Sequence, residues 1–326
     1  MRQEPPSTAC DVLVAGAGIA GLTAGLFAAR HGWSTVVLGA LPGGRLLSSN
    51  HIEDFPGFPE GVAGYDLCPI VQDQAMAAGA VFEMTDLERL EQTYDGWTAT
   101  SSDGRVISAK AVIVATGVEP GVLDVPGEAR LAMHGISHCA CCDGPFHRGR
   151  NVAVIGGGDS ALLEALELTA FADQVFVVDR EPSFRAQAVY RDRIASNLKI
   201  HVHPETAVEE ILGENGIAGL RLRALPTGAE STLEISGLFV YVGGIARPLF
   251  LDGLAVTNAR GHIETDAAMA TVLPGLFAAG AIRNNFSGQA ITAAGDGASA
   301  AVAAHRYLVA AAGAPARIGS STAPKG

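Results

Sequence analysis

Short apolar runs separated by glycines set the pattern of the first forty residues. Residues 11–15 form an apolar run, Gly16, Gly18 and Gly21 then open an Ala- and Leu-rich stretch, and residues 35–38 are apolar again. This order predicts a buried strand, a glycine loop, a helix and a second strand. The segment therefore has the pattern of an α/β unit.

The same order of elements returns in the middle of the chain. Residues 151–155 are apolar, glycines occupy 156–158, residues 162–171 have a helical pattern, and residues 174–178 are apolar and rich in valine. One glycine pattern alone is weak evidence. Two copies in the same context predict two parallel-sheet units, each with a site the size of a dinucleotide. The predicted fold is α/β, with two Rossmann-like dinucleotide-binding domains.

The glycines of the first copy have separate physical roles. Gly16 permits a tight turn, Gly18 lets the backbone approach a pyrophosphate, and Gly21 lets helix and strand pack closely. The N-terminus of the following helix offers free N–H groups and a partial positive charge to the phosphates. The alternative is a glycine-rich turn that binds nothing, and it stays open above all for the second copy.

Further segments complete the pattern. Residues 111–117 predict a buried strand that ends in a turn of small residues, residues 273–280 end in a similar turn, and residues 289–308 predict a helix. Residues 312–326 are rich in Ala, Gly, Pro and Ser, which predicts a disordered tail. The uncharged run at 12–29 is long enough to span a membrane, but its glycines follow the nucleotide-loop pattern, so we predict no membrane association.

Charge and composition narrow the function. Lys and Arg total 22 and Asp and Glu total 34, a net charge of −12, which argues against an extended phosphate-binding face and against nucleic acid as a partner. The 326 residues, 48% of them hydrophobic, suffice for a large core and about two domains. The five cysteines are too few and too clustered for a secreted disulfide framework, which predicts a cytoplasmic protein.

Three of the cysteines lie together upstream of the second glycine loop, at Cys139, Cys141 and Cys142. Histidines at 134, 138 and 147 flank them, so zinc binding is one interpretation of the cluster. The Cys-x-Cys-Cys spacing fits poorly to the usual zinc-ligand spacings, and no second CxxC completes a closed site. We therefore predict no metal.

Five short motifs carry a resemblance to a known family. They lie at residues 43–46, 52–57, 115–117, 139–144 and 156–161. Together with the first glycine loop they resemble the low-molecular-weight thioredoxin reductases, over about residues 10–308. The resemblance implies an FAD-binding domain built from residues 1–117 and 247–326, interrupted by a smaller inserted pyridine-nucleotide-type domain at 118–246 that carries the cysteines.

Carried over to this chain, the family's redox disulfide falls on Cys139 and Cys142, and its acid/base carboxyl on Asp143. Thiolate chemistry agrees, because a CxxC pair at a helix start commonly has one sulfur of lowered pKa and a nearby carboxyl can exchange the proton. Cys141 stands where the family usually has no cysteine, so it is either a small packing residue or a third exchangeable thiol. The resemblance places the FAD contacts at Gly16, Gly18, Gly21, Gly44, Arg45, Asp54, Ala115, Thr116, Gly117, Gly280, Gln289 and Ala290.

The inserted domain departs from the family pattern where NADPH would bind. Asp179 stands at the end of a predicted strand, Glu181 replaces an expected arginine, and Leu163 replaces a glutamate. Each carboxylate would oppose the ribose 2′-phosphate by about 4 kcal/mol at a separation of about 4 Å and an effective dielectric constant of roughly 20. We interpret this as a nucleotide site that has decayed, although an acid at Asp179 is also able to bind the unphosphorylated ribose of NADH.

A decayed nucleotide site predicts that electrons enter through sulfur. The chain then resembles the reductase-related flavoenzymes that close disulfides in gliotoxin, holomycin and romidepsin. The predicted function is an FAD-dependent dithiol oxidase that acts on a small-molecule or peptide dithiol, with O₂ as acceptor and H₂O₂ as product. An NADH- or NADPH-dependent thioredoxin reductase, and a flavin-binding redox sensor without turnover, are the alternatives. The resemblance also implies a homodimer.

Overall fold

Two compact units make up the described part of the protein. The computed structural model describes residues 8–313 of the chain. The described residues of the first unit are 8–47, 52–117 and 246–313, and those of the second unit are 48–51 and 118–245.

The described residues form seventeen strands and seven α-helices. The strands are β1 (Thr8–Ala15), β2 (Thr35–Leu38), β3 (Val81–Glu83), β4 (Leu87–Thr93), β5 (Gly96–Ser101), β6 (Val106–Val114), β7 (Glu119–Pro120), β8 (Ile136–Ser137), β9 (Val152–Ile155), β10 (Val175–Val178), β11 (Ile200–His203), β12 (Thr206–Leu212), β13 (Gly219–Ala224), β14 (Glu230–Glu234), β15 (Gly237–Val240), β16 (Gly244–Ile245) and β17 (Leu276–Ala278). The α-helices are α1 (Ile19–Arg30), α2 (Gly64–Ala77), α3 (Glu128–Leu131), α4 (Ala140–Asp143), α5 (Asp159–Leu168), α6 (Ala188–Ser196) and α7 (Ala290–Gly313). Short 3-10 helices lie at Gly44–Ser48, Gly144–His147, Leu249–Leu251 and Gly280–Ile282.

The first unit contains a mostly parallel sheet. Its strand order is β3-β2-β1-β6-β5-β4, and β17 also pairs with β6. The strands β3, β2, β1, β6 and β17 are parallel, whereas β4 and β5 are antiparallel. The carboxyl ends of β1, β6 and β17 lie side by side, because Ala15 pairs with Val114 and Val114 with Ala278. The chain leaves β1 in one direction for β2 and returns on its other side as β6, so this edge is a topological switch point.

Helices α1 and α7 share the core of the first unit, and small residues let them approach closely. A Cβ on Gly297 of α7 would come within 2.1 Å of the backbone oxygen of Ala20 in α1. Helix α7 continues to Gly313, beyond the predicted end at Leu308, because the alanines at 310–312 favour helix. Residues 312 and 313 therefore belong to a helix, and the rest of the predicted tail lies outside the described residues.

The second unit contains a parallel sheet of its own, in the order β11-β10-β9-β15-β8. An antiparallel sheet of β12, β13 and β14 and the short pair β7 and β16 complete its strands within residues 8–313. Here β9 has β10 on one side and β15 on the other, so its carboxyl end is again a switch point. The predicted α/β fold with two Rossmann-like sheets is confirmed.

Helix α5 begins three residues earlier than the sequence pattern predicts, at Asp159 instead of residue 162. Gly158 is its N-cap residue and has an extended backbone. Asp159 places a carboxylate in the first turn, where the partial positive charge of the helix N-terminus stabilises it. Between residues 8 and 313, no helix combines the length and the apolar character that crossing a membrane requires.

Candidate active site

Cys139 and Cys142 are joined by a disulfide at the start of α4. Their Cα atoms are 5.4 Å apart, and the backbone N–H of Cys142 donates a hydrogen bond of 3.2 Å to Cys139 Sγ. Cys139 is thus the N-cap residue of α4, with its sulfur as the capping acceptor. After reduction, such a hydrogen bond favours the thiolate form of Cys139. Cys142 is exposed and Cys139 is half-buried.

Buried neighbours fix the position of the cysteine helix. The backbone N–H of Cys139 donates to Ser137 Oγ at 3.1 Å, and Ala140 is fully buried in the core of the second unit. The N–H of Ala140 donates to Glu164 Oε2 at 2.6 Å. The backbone before and after Cys139 is therefore held by side chains from β8 and α5.

Glu164 is a buried carboxyl group that the sequence analysis did not select. Besides Ala140 N–H, its Oε2 accepts a hydrogen bond of 2.9 Å from Tyr241 Oη. Burial raises the pKa of Glu164 to about 7, more than the two hydrogen bonds lower it. Burial and the neighbouring Glu164 in turn raise the pKa of Tyr241. Glu164 is thus a proton-binding group in direct contact with the cysteine helix.

Cys141 lies beside the disulfide. Its Sγ is 3.2 Å from Cys139 Sγ, 3.8 Å from Cys142 Sγ and 3.4 Å from the backbone oxygen of Ser48. Burial raises the pKa of Cys141, and the negative charges of Glu167 and Glu164 raise it further. Cys141 therefore stays protonated at neutral pH, in contact with both sulfurs of the redox pair.

Asp143 is the last residue of α4, and its backbone N–H donates to the Cys139 oxygen at 3.2 Å. The structure places it next to Cys142 in sequence and leaves it partly exposed. Its charge contributes to the pKa of His147, which burial lowers overall. The acid/base role of Asp143 stays a prediction.

The first glycine loop lies at the switch point of the first unit. Gly16 has a φ of +109°, and a Cβ there would come within 2.3 Å of the Ala115 oxygen. A Cβ on Gly21 would lie 1.8 Å from the Gly16 oxygen. Gly18 is the N-cap residue of α1, and a Cβ added there would meet only open space. A Cβ added to Gly44 would lie 3.3 Å from Gly18 Cα. The structure therefore brings these predicted FAD residues together.

The loops after β6 and β17 meet the same edge of the sheet. Thr116 and Gly117 follow β6, and Gly280 follows β17. The N–H of Gly280 donates to Asp296 Oδ2 at 3.1 Å, and Arg283 Nη1 donates to the same oxygen at 2.9 Å. Asp296, which the sequence analysis missed, thus holds the turn after β17.

The other predicted FAD residues lie on neighbouring loops and helix ends. Arg45 is in the 3-10 helix Gly44–Ser48. Gln289 directly precedes α7 and Ala290 is its first residue; a Cβ on Gly280 would stand 3.7 Å from the Cβ of Ala293 in the first turn. Asp54 lies in the loop 53–59, which lines a small cleft of its own. The FAD-binding role of each of these residues stays a prediction.

A cavity of about 220 Å³ lies at the switch point of the second unit. Its walls come from residues 122–125 and from the carboxyl ends of β9, β10 and β15. Dinucleotide-binding folds bind their ligands at such strand ends. Asp179 and Tyr241 line it, together with the exposed side chains of Arg180, Glu181 and Arg185.

Asp179 is the unusual residue of this cavity. It is 7% exposed, and its Oδ2 has no hydrogen-bond partner among the described residues. A Cβ on Gly157 would come within 1.7 Å of that oxygen, so only glycine at 157 leaves room for it. A buried carboxylate oxygen without a donor is costly, which indicates that a ligand supplies the donor.

A family model described as pyridine nucleotide-disulphide oxidoreductase matches residues 10–303. The chain belongs to this family. The match spans the two glycine loops and the disulfide between Cys139 and Cys142.

Relatives of this disulphide oxidoreductase cover most of its length. The chain is 37% identical over 302 residues to a thioredoxin reductase of Bacillus subtilis, with 91% of this chain and 94% of that protein covered. It is 38% identical over 300 residues to a bifunctional thioredoxin reductase/thioredoxin of Mycobacterium leprae, covering 91% of this chain but 66% of that longer protein. A solved thioredoxin reductase from Lactococcus lactis superposes with a TM-score of 0.89 at 34% identity, with 92% and 99% of the two chains covered.

The prediction of a dithiol oxidase for natural products is wrong. The relatives at 36–38% identity and the similar solved structures are named thioredoxin reductases. A small-molecule dithiol and O₂ as partners lose their support for the same reason. The misleading signal was the pair of acids at Asp179 and Glu181, which the sequence analysis interpreted as decay, although a cavity lined by both residues is present at this edge of the sheet.

FAD is the cofactor of this oxidoreductase family, which confirms the predicted cofactor. The first unit fits it. Gly16 and Gly21 leave no room for side chains, whereas open space at Gly18 and the N-terminus of α1 form a cradle for a pyrophosphate. Gly39, directly after β2, also leaves no room for a side chain, because a Cβ there would stand 2.5 Å from the Ala17 Cβ.

Glu164 of this oxidoreductase is expected to make stability depend on pH. Its pKa rises from the ordinary 4.5 to about 7 on folding, so the folded chain binds this proton more tightly. The stability contributed by the group is therefore complete below pH 4.5, falls by about 3 kcal/mol as the pH rises through 7, and is constant above. Glu164→Gln keeps an acceptor for Ala140 and Tyr241 and should remove this slope.

Urea unfolding of both proteins between pH 5 and pH 8 measures the effect. The wild-type minus variant difference isolates Glu164 from the other titrating groups. An identical slope in the two proteins would show that Glu164 does not hold the proton.

Proposed function

We propose that this chain is an NADH-dependent disulfide reductase of the thioredoxin reductase type. One observation carries the choice of NADH: Asp179 lines the cavity, and its buried Oδ2 has no hydrogen-bond donor among residues 8–313. The hydroxyls of an unphosphorylated adenosine ribose are donors of the kind that this oxygen needs. Asp179 therefore acts as a ribose acceptor.

The charges around the cavity support NADH over NADPH. Arg180 and Arg185 attract a 2′-phosphate, but Asp179 and Glu181 face the same cavity and oppose it. Each carboxylate at about 4 Å from the phosphate would oppose binding by about 4 kcal/mol at an effective dielectric constant of roughly 20. The two arginines are exposed, so solvent screens them more than it screens the buried Asp179.

The cysteine pair supplies the thiol chemistry. FAD, when bound, carries an electron pair from the nicotinamide to the disulfide of the enzyme. In the reduced chain the Cys139 thiolate attacks a substrate disulfide, which forms a mixed disulfide and releases one substrate thiolate. The Cys142 thiolate then attacks Cys139 Sγ, so the Cys139–Cys142 bond forms and the second substrate thiolate leaves. Asp143, beside Cys142, returns protons to the thiolates.

A thioredoxin-type protein disulfide is the substrate class that we propose. The relatives are named for thioredoxin, and the exposed Cys142 leaves the pair open to a protein partner. The homodimer implied by the family resemblance stays a prediction.

Anaerobic mixing with NADH or NADPH tests the proposal. We expect NADH to remove the visible flavin absorbance at least about 10-fold faster at equal, subsaturating concentration, a difference of about 1.4 kcal/mol. Glu181→Arg should raise kcat/KM for NADPH by about 10-fold to 100-fold. Glu230→Arg, on the exposed strand β14, changes the net charge equally and should leave the preference unaltered. A faster reaction with NADPH in the wild type would refute the assignment of Asp179, and no reaction with either nucleotide would refute the reductase.

A further inference from the structure

Three sulfur atoms converge at the start of α4. The ligand atoms of Cys139, Cys141 and Cys142 all lie within 4.8 Å of one another. Cys141 Sγ is 3.2 Å and 3.8 Å from the other two. The family pattern uses two of these sulfurs for its redox disulfide, so the third gives this chain a feature that the disulfide chemistry does not require.

The two distances from Cys141 Sγ, 3.2 Å and 3.8 Å, are close to the separation between sulfur ligands of a soft ion. Such ions bind sulfur at about 2.3 Å, and three sulfurs around one ion at tetrahedral angles are about 3.8 Å apart. Reduction of the disulfide frees Cys139 and Cys142 to move to this separation. The three side chains come from the first residues of one short helix and its N-cap, and Cys141 Sγ already lies beside the other two sulfurs, so little rearrangement is needed.

Within the part of the chain that the structure describes, the cluster offers three ligands and no fourth. Across residues 8–313, no histidine or carboxylate joins the three sulfurs within the same distance. Of the flanking histidines, His138 points its Nδ1 at the Val240 oxygen, 2.9 Å away, and His147 Nδ1 contacts Ser236 Oγ at 3.1 Å. A structural zinc site needs four protein ligands, so this set fits an ion that is satisfied by three sulfurs.

We infer that the reduced chain contains a three-sulfur site, formed by Cys139, Cys141 and Cys142, that binds one trivalent thiophilic metalloid, with trivalent arsenic as the defining example. Three thiols react with arsenous acid, three As–S bonds replace three As–O bonds, and three water molecules leave with the thiol protons. No electrons are exchanged in this step. The oxidised chain has one free thiol in the cluster and does not form the site.

The site makes the reduced enzyme sensitive to such an ion, because binding occupies both redox sulfurs at once. Cys141 should make this chain bind the ion more tightly than a chain that has only the redox pair of cysteines. Two sulfurs hold the ion as a chelate, and a third that is already in place adds an intramolecular contact worth about 100-fold in affinity.

Arsenite binding to the FAD-loaded protein tests the inference. The protein is reduced without oxygen by a phosphine, which takes the disulfide to two thiols and becomes a phosphine oxide, and excess reductant is removed. Equilibrium dialysis with elemental analysis should find one arsenic per reduced chain and none per oxidised chain. X-ray absorption should count three sulfur neighbours.

Cys141→Ser should bind arsenite about 100-fold more weakly, with two sulfur neighbours. Cys10→Ala removes a buried thiol outside the cluster and should match the wild type; flavin content checks the folding of both. Equal affinity and equal sulfur count in Cys141→Ser would overturn the inference. Chemical reduction replaces the nicotinamide here, so the result does not depend on the proposed electron donor.

Discussion

In a chain that carries Cys141→Ser, replacing Cys142 with serine is expected to lower the rate of NADH-driven disulfide reduction by about 1,000-fold. The variant retains Cys139, whose sulfur caps α4 and, in the proposed reaction, attacks the substrate. It lacks the thiol that closes the disulfide and releases the product, so the mixed disulfide accumulates. Steady-state turnover with a thioredoxin-type disulfide measures the loss, and mass analysis without reductant detects the trapped complex.

The design has to account for Cys141, because its Sγ lies 3.2 Å from Cys139 Sγ and is able to replace Cys142. The loss is therefore measured as the ratio between Cys141→Ser and the double variant Cys141→Ser/Cys142→Ser. Cys10→Ala controls for removal of a thiol, since burial raises the pKa of Cys10 to about 12 and keeps it unreactive. If Cys139→Ser trapped a mixed disulfide with the substrate and Cys142→Ser trapped none, Cys142 would be the attacking residue and Cys139 the resolving one.

The two sheets were predictable from sequence because their glycine loops follow from backbone geometry. At Gly16 and Gly21 any Cβ would collide with a backbone oxygen. The pattern of glycines therefore indicates that helix and strand approach each other closely. The apolar runs that flank each unit are typical of strands whose two faces are both buried. Sequence therefore located the edge of the first sheet where the predicted FAD residues gather.

The environment of the cysteines was less accessible to sequence. Glu164 lies on the buried face of α5 together with Ala161, Leu168 and Ala165, and a carboxyl on an apolar face was the available signal. Its partners come from elements far apart in the chain, at Ala140 and Tyr241, so only coordinates reveal them.

The functional prediction failed on a question of charge. A sequence shows that acids replace an arginine, but it does not show whether a carboxylate is paired. Asp179 is buried and one of its oxygens lacks a donor among the described residues, which favours a ligand with hydroxyls over an abandoned site. Tyr241 lines the same cavity and donates to Glu164, which also holds Ala140. The nucleotide cavity and the cysteine helix are thus joined by two hydrogen bonds.

Alanine at Gly18 and alanine at Gly21 are expected to fail in different ways. Gly18 has a φ of −70° and open space beside it, so Gly18→Ala should lower the unfolding free energy by no more than about 1 kcal/mol, the cost of alanine at an N-cap. The added methyl group occupies the pyrophosphate cradle, and FAD affinity should fall about 100-fold, or about 3 kcal/mol. Gly21→Ala forces a methyl group to within 1.8 Å of the Gly16 oxygen and should cost about 3–5 kcal/mol of stability.

Urea unfolding with and without added FAD, together with FAD titration by fluorescence, separates the two effects. Gly295→Ala is the matched control, because Gly295 lies on the exposed face of α7 with open space around it, and the change should stabilise the helix by up to about 1 kcal/mol. Unchanged FAD affinity in Gly18→Ala would exclude this loop as the pyrophosphate site. The cradle would then have to lie elsewhere, although Gly21→Ala would still unfold more easily, since the collision between α1 and the loop exists without any ligand.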